Sequence, residues 1–301
     1  MRARGDKVTV DQPNDKFCVE LSNPARPALN VEVIPQSSTL GAEIRGIDLS
    51  KISATELDRV NQALLDHQVI FFRDQHLSHR RYCDFAAGFG ALQDYLFADG
   101  VDGYPYITEI VKTESETESF GDFWHSDSTY LERPPKITLL YARQLPARGG
   151  DTLFADTYAV CEDLSDGLRA CLGELNAVNS ASVVPRDENI YAEVKSKNSD
   201  KKDRQAIHPV IRTHDETGRK ALFVNSIHSL AFEGMNRQES LPLLRYLFAR
   251  VERPEYSFRL RWRENTLAMW DNRCTQHYAL NDYHGFRRVM HRIIVEGARP
   301  R

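Results

Sequence analysis

The chain has 301 residues, enough for one large domain or two ordinary ones, and its 41% hydrophobic and 27% charged residues are typical of a globular protein. A net charge of −4 argues against non-specific binding to nucleic acid, and no apolar run approaches the roughly 20 residues that a membrane helix requires. The five cysteines are scattered without a CxxC motif, and the N-terminus lacks the apolar core of a signal peptide. Together these features predict a cytoplasmic protein without a disulfide framework or a zinc–thiolate site.

The first predicted elements are two short strands, a helix, a third strand and a second helix. Residues 1–30 are rich in Pro, Asn, Asp and Arg and predict a mobile extension ahead of a single domain over residues 31–301. Ser53 and Glu56 have capping-box spacing, which predicts the start of a helix. The predicted strands cover residues 29–36, 41–50 and 69–75, and the predicted helices cover residues 53–67 and 77–90.

From about residue 105 the pattern changes to short strand-like runs separated by turns, such as ITLLYARQL, DTLFAD and RVMHRIIVEG. Two helices interrupt them, one within residues 156–175 and the other over residues 238–251. Many short strands at fairly even spacing predict a sandwich or a barrel. The polar segment 185–204 lacks periodicity and predicts a long solvated loop, with part of a lid as the alternative.

The segment FWHSDSTY, residues 123–130, contains a candidate pair of metal ligands. If the segment is extended, His125 and Asp127 project to the same side, and Ser126, Ser128 or Thr129 could hydrogen-bond to them. On its own, an HxD pair is a weak signal and is more often two polar residues at the surface or in the core. His277, far downstream after a buried strand, completes a set of two histidines and one carboxylate. That set is typical of non-haem Fe(II) oxygenases. A zinc hydrolase could use it too, but no general base such as the Glu of HExxH accompanies it.

A second candidate site feature is the strand-like run FRRVMHRIIVEG. Arg288, Met290 and Arg292 share one face of this strand, while Val289 and His291 lie on the other. Two arginines on the inward face of an apolar strand are costly unless they meet anions, and the planar guanidinium suits carboxylate or sulfonate oxygens. The alternative is a pair of surface arginines on an edge strand.

Together these segments resemble the taurine dioxygenase-like Fe(II)/2-oxoglutarate-dependent oxygenases, a family that includes the aryloxyalkanoate dioxygenases. The similarity runs from about residue 31 to residue 300, and the motifs occur in the order of the family. The matching stretches are LGAEIRGIDLS, HQVIFFRDQ, WHSDSTY, PARGGDTLFAD, HPVIRTH, GRKALFVN and WDNRCTQHYALNDYHGFRRVMHR. The resemblance implies a mainly β fold with flanking helices, the double-stranded β-helix (jelly roll, cupin-like).

The resemblance also implies roles for particular residues. His125, Asp127 and His277 match the family's iron ligands. Thr152 and Arg288 match its contacts to 2-oxoglutarate. Arg292 matches the arginine that receives the anionic group of the substrate.

Four positions near these motifs concern the substrate. Tyr95 stands where taurine-specific members have a histidine, and Gly121 replaces their asparagine, so taurine itself is disfavoured. His228 occupies the place of a tyrosine in aryloxyalkanoate-type members, where it could hydrogen-bond a substrate anion; the alternative is a packed or exposed histidine without a functional role. Phe223, in the same motif, is predicted to form a wall of the substrate pocket.

The expected function is that of an Fe(II)- and 2-oxoglutarate-dependent dioxygenase that uses O2, hydroxylates a small organic anion and releases succinate. The anion would be a carboxylate, sulfonate or sulfate ester. The alternatives are an ether-cleaving aryloxyalkanoate dioxygenase, a pathway-specific biosynthetic hydroxylase and, in a different class, a catalytically silent jelly-roll binding module. A homo-oligomer, dimer or tetramer, is common for such enzymes.

Overall fold

The computed structural model describes residues 31–95, 98–181 and 204–301, which form seventeen strands and five α-helices. The strands are β1 (Glu32–Pro35), β2 (Ala42–Arg45), β3 (Val69–Phe72), β4 (Leu92–Gln93), β5 (Gly100–Val101), β6 (Tyr104–Lys112), β7 (Ile137–Gln144), β8 (Thr152–Asp156), β9 (Asn176–Ser180), β10 (Gln205–Pro209), β11 (Ile211–Thr213), β12 (Lys220–Leu222), β13 (Ser229–Phe232), β14 (Ser257–Leu260), β15 (Leu267–Asp271), β16 (Thr275–Ala279) and β17 (Arg288–Val295). The helices are α1 (Ala54–His67), α2 (His79–Ala87), α3 (Thr157–Glu162), α4 (Asp166–Gly173) and α5 (Arg237–Val251).

The strands assemble into one large sheet and several small ones. The large sheet has nine strands in the order β1-β2-β3-β15-β7-β17-β6-β5, with β4 paired to β17. The small sheets have the orders β14-β8-β16, β10-β9-β13 and β11-β12. Every pairing is antiparallel except that of β2 with β3. The predicted jelly roll with flanking helices is therefore confirmed.

The central strands of the large sheet are buried on both faces, which explains the continuous apolar runs of β3 and β15. Along β15, Leu267 and Met269 pack towards α1 and α2. Ala268 and Trp270 alternate with them and pack into the roll, where they meet Phe154 of the β14-β8-β16 sheet. A separate cluster packs α3, α4 and α5 behind the small sheets. The site residues lie where the two sheets of the roll face each other.

The capping box predicted for the first helix is confirmed. The side chain of Ser53 accepts a hydrogen bond from the backbone of Glu56, and the side chain of Glu56 accepts one from the backbone of Ser53. The prediction of one helix within residues 156–175 was wrong, because Ser165 caps a new helix start and divides that segment into α3 and α4. The predictions for residues 1–30 and for most of 185–204 lie outside the described residues. No helix in the described part of the chain is long and apolar enough to span a membrane.

Candidate active site

A single β-bridge brings the two predicted histidine ligands together. The backbone N–H of His125 donates to the carbonyl of His277 (3.1 Å), and the N–H of His277 donates back to the carbonyl of His125 (2.8 Å). The centroids of the two rings lie 4.1 Å apart. His277 lies on β16 opposite Phe154 of β8, so the site is attached to the small sheet of the roll.

An extended segment 123–130 was the condition for His125 and Asp127 to project together, and the structure does not meet it beyond His125. After the bridge the chain enters a turn, and Ser128 takes a positive φ of 50°. The hydroxyl of Ser126 donates to the carbonyl of Thr275 (2.7 Å), which fastens the turn to β16. Because the turn replaces a strand, this attachment and not strand parity directs Asp127 towards the histidines.

Asp127 is oriented by residues outside its own segment. Its Oδ2 accepts a hydrogen bond from the hydroxyl of Thr138 on β7 (2.6 Å). Asn272, at the end of β15, donates from Nδ2 to that hydroxyl oxygen (2.8 Å) and accepts from the backbone N–H of Asp127 (3.3 Å). The expected partners were wrong, since Ser126 bonds the Thr275 carbonyl and Ser128 pairs with Tyr130. With Oδ2 engaged, Oδ1 remains as a ligand atom.

The donor atoms of His125, Asp127 and His277 lie within 4.8 Å of one another, and all three residues are buried. Nδ1 of His125 lies 2.8 Å from the carbonyl of Phe123, so this nitrogen carries the proton and Nε2 is left as a ligand. Burial lowers the pKa of His277 to about 3 and also lowers that of His125. Burial alone would raise the pKa of Asp127, but its electrostatic interactions with His277 and Arg292 bring it down to about 2. At neutral pH all three groups are therefore in their metal-binding forms, and the set fits Fe(II).

Thr152 and Arg288, the predicted contacts to 2-oxoglutarate, line the same cavity as His125 and His277. The indole N–H of Trp262 donates to the hydroxyl oxygen of Thr152 (3.0 Å), which leaves the hydroxyl proton for a ligand. Arg288 is buried, and its Nε has no hydrogen-bond partner among the described residues. These groups form a polar end of the cavity suited to a carboxylate.

The GGDT motif lets the backbone pass close to Arg288 at this end of the cavity. Gly150 has a φ of +70°, and a Cβ there would lie 3.2 Å from Cδ of Arg288. Its backbone N–H donates to Oδ1 of Asp282 (2.7 Å), which secures the turn ahead of Thr152. A residue with a side chain at this position would be strained and would press on the arginine.

Arg292 lies beside the metal ligands on the same face of β17 as Arg288. Its Nη1 is 3.7 Å from Oδ1 of Asp127, and its Cζ lies 4.0 Å from the centroid of the Tyr95 ring. In the described structure its Nε and Nη2 are buried without a hydrogen-bond partner. The half-exposed ring of Phe120 lines the cavity nearby. The structure thus brings Arg292 and Tyr95 to the site, with unsatisfied donors available to an anion.

Phe223 and His228 are not among the residues that line this cavity in the described structure. The ring of Phe223 is buried between Arg212 and His208. His228 packs edge-on against Tyr130 and lies 3.0 Å from the carbonyl of Ser180 through Nδ1. Burial and the nearby His125 lower the pKa of His228 to about 3, so the imidazole is neutral at physiological pH. A neutral ring holding a proton on Nδ1 offers only an acceptor at Nε2.

A second buried group of His214, Asp271 and Cys274 also has metal-like spacing. Nδ1 of His214 accepts from two backbone N–H groups, so Nε2 carries the proton and lies 3.0 Å from Oδ2 of Asp271. Arg273 donates to both oxygens of Asp271, from Nε (2.8 Å) and Nη2 (2.6 Å). With its donor atoms engaged, this cluster is a structural ion-pair network and not a metal site.

Sequence reasoning missed several residues that shape the site. Thr138 lies in the apolar-looking run of β7, and nothing in that run distinguishes it from a structural threonine. Asn272 follows the buried strand β15, and a polar residue at the end of a strand could have identified it. Trp262 gave no signal, because only the fold brings it to Thr152.

We expect Thr138→Val to weaken metal binding by about 10- to 100-fold, the range observed when outer hydrogen bonds to a ligand are lost. The change keeps the side-chain shape, removes the donor to Asp127 and leaves Nδ2 of Asn272 without its acceptor. Anaerobic Fe(II) titration would measure the effect. Thr266→Val is the matched control, because that buried hydroxyl contacts Arg73 and no ligand. Equal metal affinities in the two variants would contradict the expectation.

Comparison with known proteins agrees with this geometry. The family described as taurine catabolism dioxygenase TauD, TfdA family matches residues 31–294. An alpha-ketoglutarate-dependent sulfate ester dioxygenase from Pseudomonas putida is 34% identical over 284 residues, covering 91% of this chain and 92% of that protein. An alkylsulfatase from Acinetobacter baylyi is 33% identical over 286 residues, covering 90% and 86%. The crystal structure of a taurine dioxygenase from Burkholderia xenovorans has a TM-score of 0.76 and 32% identity, covering 90% of each chain.

Alpha-ketoglutarate is another name for 2-oxoglutarate, so these similarities agree with the donor set and with the cationic end of the cavity. The predicted family, fold, enzyme class and cofactors are confirmed. The chain belongs to the TauD, TfdA family and is a dioxygenase that depends on Fe(II), 2-oxoglutarate and O2.

Proposed function

We propose that the cavity between β17 and the β8–β16 pair is the active site, with Fe(II) held by His125, Asp127 and His277. The observation that carries the proposal is that both histidines of this buried donor set line one cavity with Arg288 and Arg292, and that Arg292 lies 3.7 Å from Asp127. The iron supplies the redox chemistry of O2, while the protein supplies binding, orientation and electrostatics.

The protein's part in cosubstrate binding is assigned to Arg288 and Thr152. The guanidinium of Arg288 would receive the distal carboxylate of 2-oxoglutarate through charge-assisted hydrogen bonds. The Thr152 hydroxyl, held by the Trp262 indole, would donate its free proton to the same ligand. Both residues line the cavity beside His277, so one molecule can reach them and the metal.

We assign the substrate as the sulfate ester of a small alcohol, held by Arg292. The unpaired Nε and Nη2 of this residue suit the oxygens of a sulfate, and two relatives above 30% identity act on sulfate esters or are named alkylsulfatase. Tyr95 and Gly121 stand where taurine-specific members carry other residues, which disfavours taurine.

The overall reaction balances for such a substrate. One O2 and one 2-oxoglutarate yield succinate and CO2, and one oxygen atom enters the C–H bond next to the ester oxygen. The hydroxylated product then breaks its C–O bond to give an aldehyde and sulfate. Apolar walls, Ile110 and Leu140 with the ring of Phe120, leave room for an alkyl group beside the charged end.

A substrate panel tests the assignment. Hexyl sulfate, hexanesulfonate, phenoxyacetate and taurine would be compared by succinate formation, with sulfate release measured for the ester. We expect hexyl sulfate to give the largest succinate rate, matched mole for mole by sulfate. Preference for phenoxyacetate or for a sulfonate would overturn the substrate class and leave the reaction class standing. The absence of O2-dependent succinate with every compound would instead favour a silent binding module.

Arg292→Ala is expected to raise the KM for the anionic substrate about 10- to 100-fold, the loss that follows from removing charge-assisted hydrogen bonds. The KM for 2-oxoglutarate should change little, because Arg288 remains. Steady-state kinetics with each compound varied in turn would measure both constants. Arg287→Ala is the control, since this half-buried neighbour of Arg288 pairs with Glu114 and does not line the cavity. Equal increases in both constants would argue that Arg292 serves the cosubstrate or the metal site.

Two further properties belong to the proposal. We infer a cytoplasmic location from the scattered cysteines, which suit a reducing compartment. We also propose a homo-oligomer, dimer or tetramer, which light scattering of the purified protein would test.

A further inference from the structure

Lys112, the last residue of β6, is a buried cation outside the site described so far. Its residue is 5% exposed, and its Nζ is buried with no hydrogen-bond partner among the described residues. In the antiparallel register Lys112 lies directly opposite Arg288 of β17. Cross-strand partners project from the same face of a sheet, so both cations point towards the same side.

Tyr283 joins the two cations. The Nζ of Lys112 lies 4.5 Å from the centroid of the Tyr283 ring, and the Cζ of Arg288 lies 5.9 Å from it. The Tyr283 hydroxyl is 3.2 Å from the hydroxyl of Ser119. The ring is therefore an electron-rich surface shared by both positive charges at the end of the cavity that holds Thr152.

The described structure places no carboxylate within ion-pair distance of Lys112. The side chain of Glu116 lies in the same region, but its Oε2 accepts from the backbone N–H and the hydroxyl of Thr113. Two like charges buried on neighbouring strands are unfavourable unless an anion joins them. A ligand with a negative group beside Arg288 would supply such an anion.

We propose that Lys112 is a positioning residue of the cosubstrate site, whose charge acts through Tyr283 and Arg288 to bind the distal carboxylate of 2-oxoglutarate. The inference rests on the proposed function, since it needs Arg288 to receive that carboxylate. Lys112 does not touch the reacting atoms. Its contribution is to raise the positive potential where the cosubstrate's second charge comes to rest.

The test compares two 2-oxo acids that differ only at the distal end. 2-Oxoglutarate has the distal carboxylate, and 2-oxopentanoate has a methyl group in its place. Anaerobic calorimetry of the Fe(II)-loaded protein would give the dissociation constant of each acid for the wild type, Lys112→Met and Lys112→Arg. We expect Lys112→Met to raise the dissociation constant of 2-oxoglutarate about tenfold, the order of magnitude expected for the loss of one partly screened charge. Binding of 2-oxopentanoate should be unchanged, and Lys112→Arg should restore the affinity for 2-oxoglutarate.

The outcomes separate this inference from the proposed function. Lys220→Met is the control, because that exposed lysine bonds Thr213 far from the cavity, and it should bind both acids like the wild type. Equal weakening of both acids in Lys112→Met would show a structural role and overturn the inference, as would unchanged binding of both. If the wild type itself fails to bind 2-oxoglutarate, the proposed function falls and the inference falls with it.

Discussion

Asp127→Asn is expected to fold normally and to lose more than a hundredfold in affinity for Fe(II), with turnover falling at least in proportion. Loss of a hydrogen bond from a neighbouring residue to a metal ligand lowers the metal affinity by about 10- to 100-fold, so loss of the charged ligand itself should exceed that range. The asparagine keeps an oxygen that can accept from Thr138 and nearly the same volume. The variant therefore removes one negative charge and one ligand atom while leaving the surrounding packing in place.

The variant also changes the balance of charge at the site. In the wild type Oδ1 of Asp127 lies 3.7 Å from Nη1 of Arg292, and both residues are buried. In the variant the nearest carboxylate of that arginine is gone, which further disfavours a cation in the neighbouring metal position. Two neutral histidines alone would then face Fe(II), a weaker set than two histidines and a carboxylate.

Two measurements would check this prediction without relying on turnover. Anaerobic addition of 2-oxoglutarate to the Fe(II)-loaded wild type should produce a weak visible absorption band, and the variant should lack it. Added metal should raise the melting temperature of the wild type and leave that of the variant unchanged, because only binding to the folded state stabilises it. Asp84→Asn on the exposed face of α2 serves as the control. A variant with the wild-type band would show that Asp127 is not a ligand.

The largest effect on stability is expected from Arg273→Met, which should lower the free energy of unfolding by about 3–5 kcal/mol. Arg273 donates two side-chain hydrogen bonds to Asp271, and its backbone N–H donates a third to Oδ1 (2.9 Å). Asp271 is 1% exposed, so the methionine would leave a buried carboxylate whose remaining hydrogen-bond partners are the backbone N–H of residue 273 and the ring of His214. The loss of stability comes from the Asp271 carboxylate that stays buried without its partner, and not from the net contribution of the ion pair to stability.

The pH dependence gives this prediction a second test. Burial opposes the charge of Asp271, but Arg273 and His214 hold the pKa of Asp271 well below its usual range. A lowered pKa contributes stability that is complete above the unfolded value, about 3.9, and is lost as the pH falls towards the folded value. Urea unfolding of the wild type at pH 7 and at pH 3.5 should show this loss. In Arg273→Met, Asp271 should contribute less to this loss of stability at low pH, because the guanidinium that lowers its pKa is gone.

The controls distinguish burial from charge pairing in general. Arg253→Met removes a surface arginine that pairs with Glu255, and we expect a far smaller cost than that of Arg273→Met. Arg273→Met combined with Asp271→Asn should recover part of the stability lost in the single variant, since the unpaired charge disappears. Similar costs for the two arginine variants would contradict the assignment of the buried cluster as a structural network.

The features of the fold that could be predicted from the sequence are those whose causes lie within a few neighbouring residues. Ser53 and Glu56 satisfy each other's backbone donors within four residues, so the start of α1 could be predicted from the sequence alone. The shared face of Arg288 and Arg292 follows from the two-residue period of a strand, and the structure places both in the cavity. The division between α3 and α4 was missed. The segment was interpreted as one continuous helix, whereas Ser165 caps a second helix start within it.

The parts of the candidate site that were missed depend on distant pairings. Thr138 reaches Asp127 only because β7 lies between β15 and β17, and no local pattern encodes that order. Phe223 lies in a family motif near the site, but its ring turns towards Arg212. Likewise, the turn in FWHSDSTY could not be predicted locally, because it is held by contacts to β16 and Asn272 that lie more than 140 residues away.

The two arginines of β17 have a geometric consequence. They are four residues apart on one face of a strand, and a strand rises about 3.4 Å per residue, so their backbone attachment points are separated by about 14 Å. The metal ligands lie on the opposite wall, next to Arg292 through Asp127. Under the proposed function, the spacing of the two arginines along β17 fixes how far apart the anionic groups of 2-oxoglutarate and of the substrate can lie. A longer or shorter substrate must adjust at its uncharged end, where the half-exposed Phe120 borders solvent, so changes in substrate range should arise on that side of the cavity.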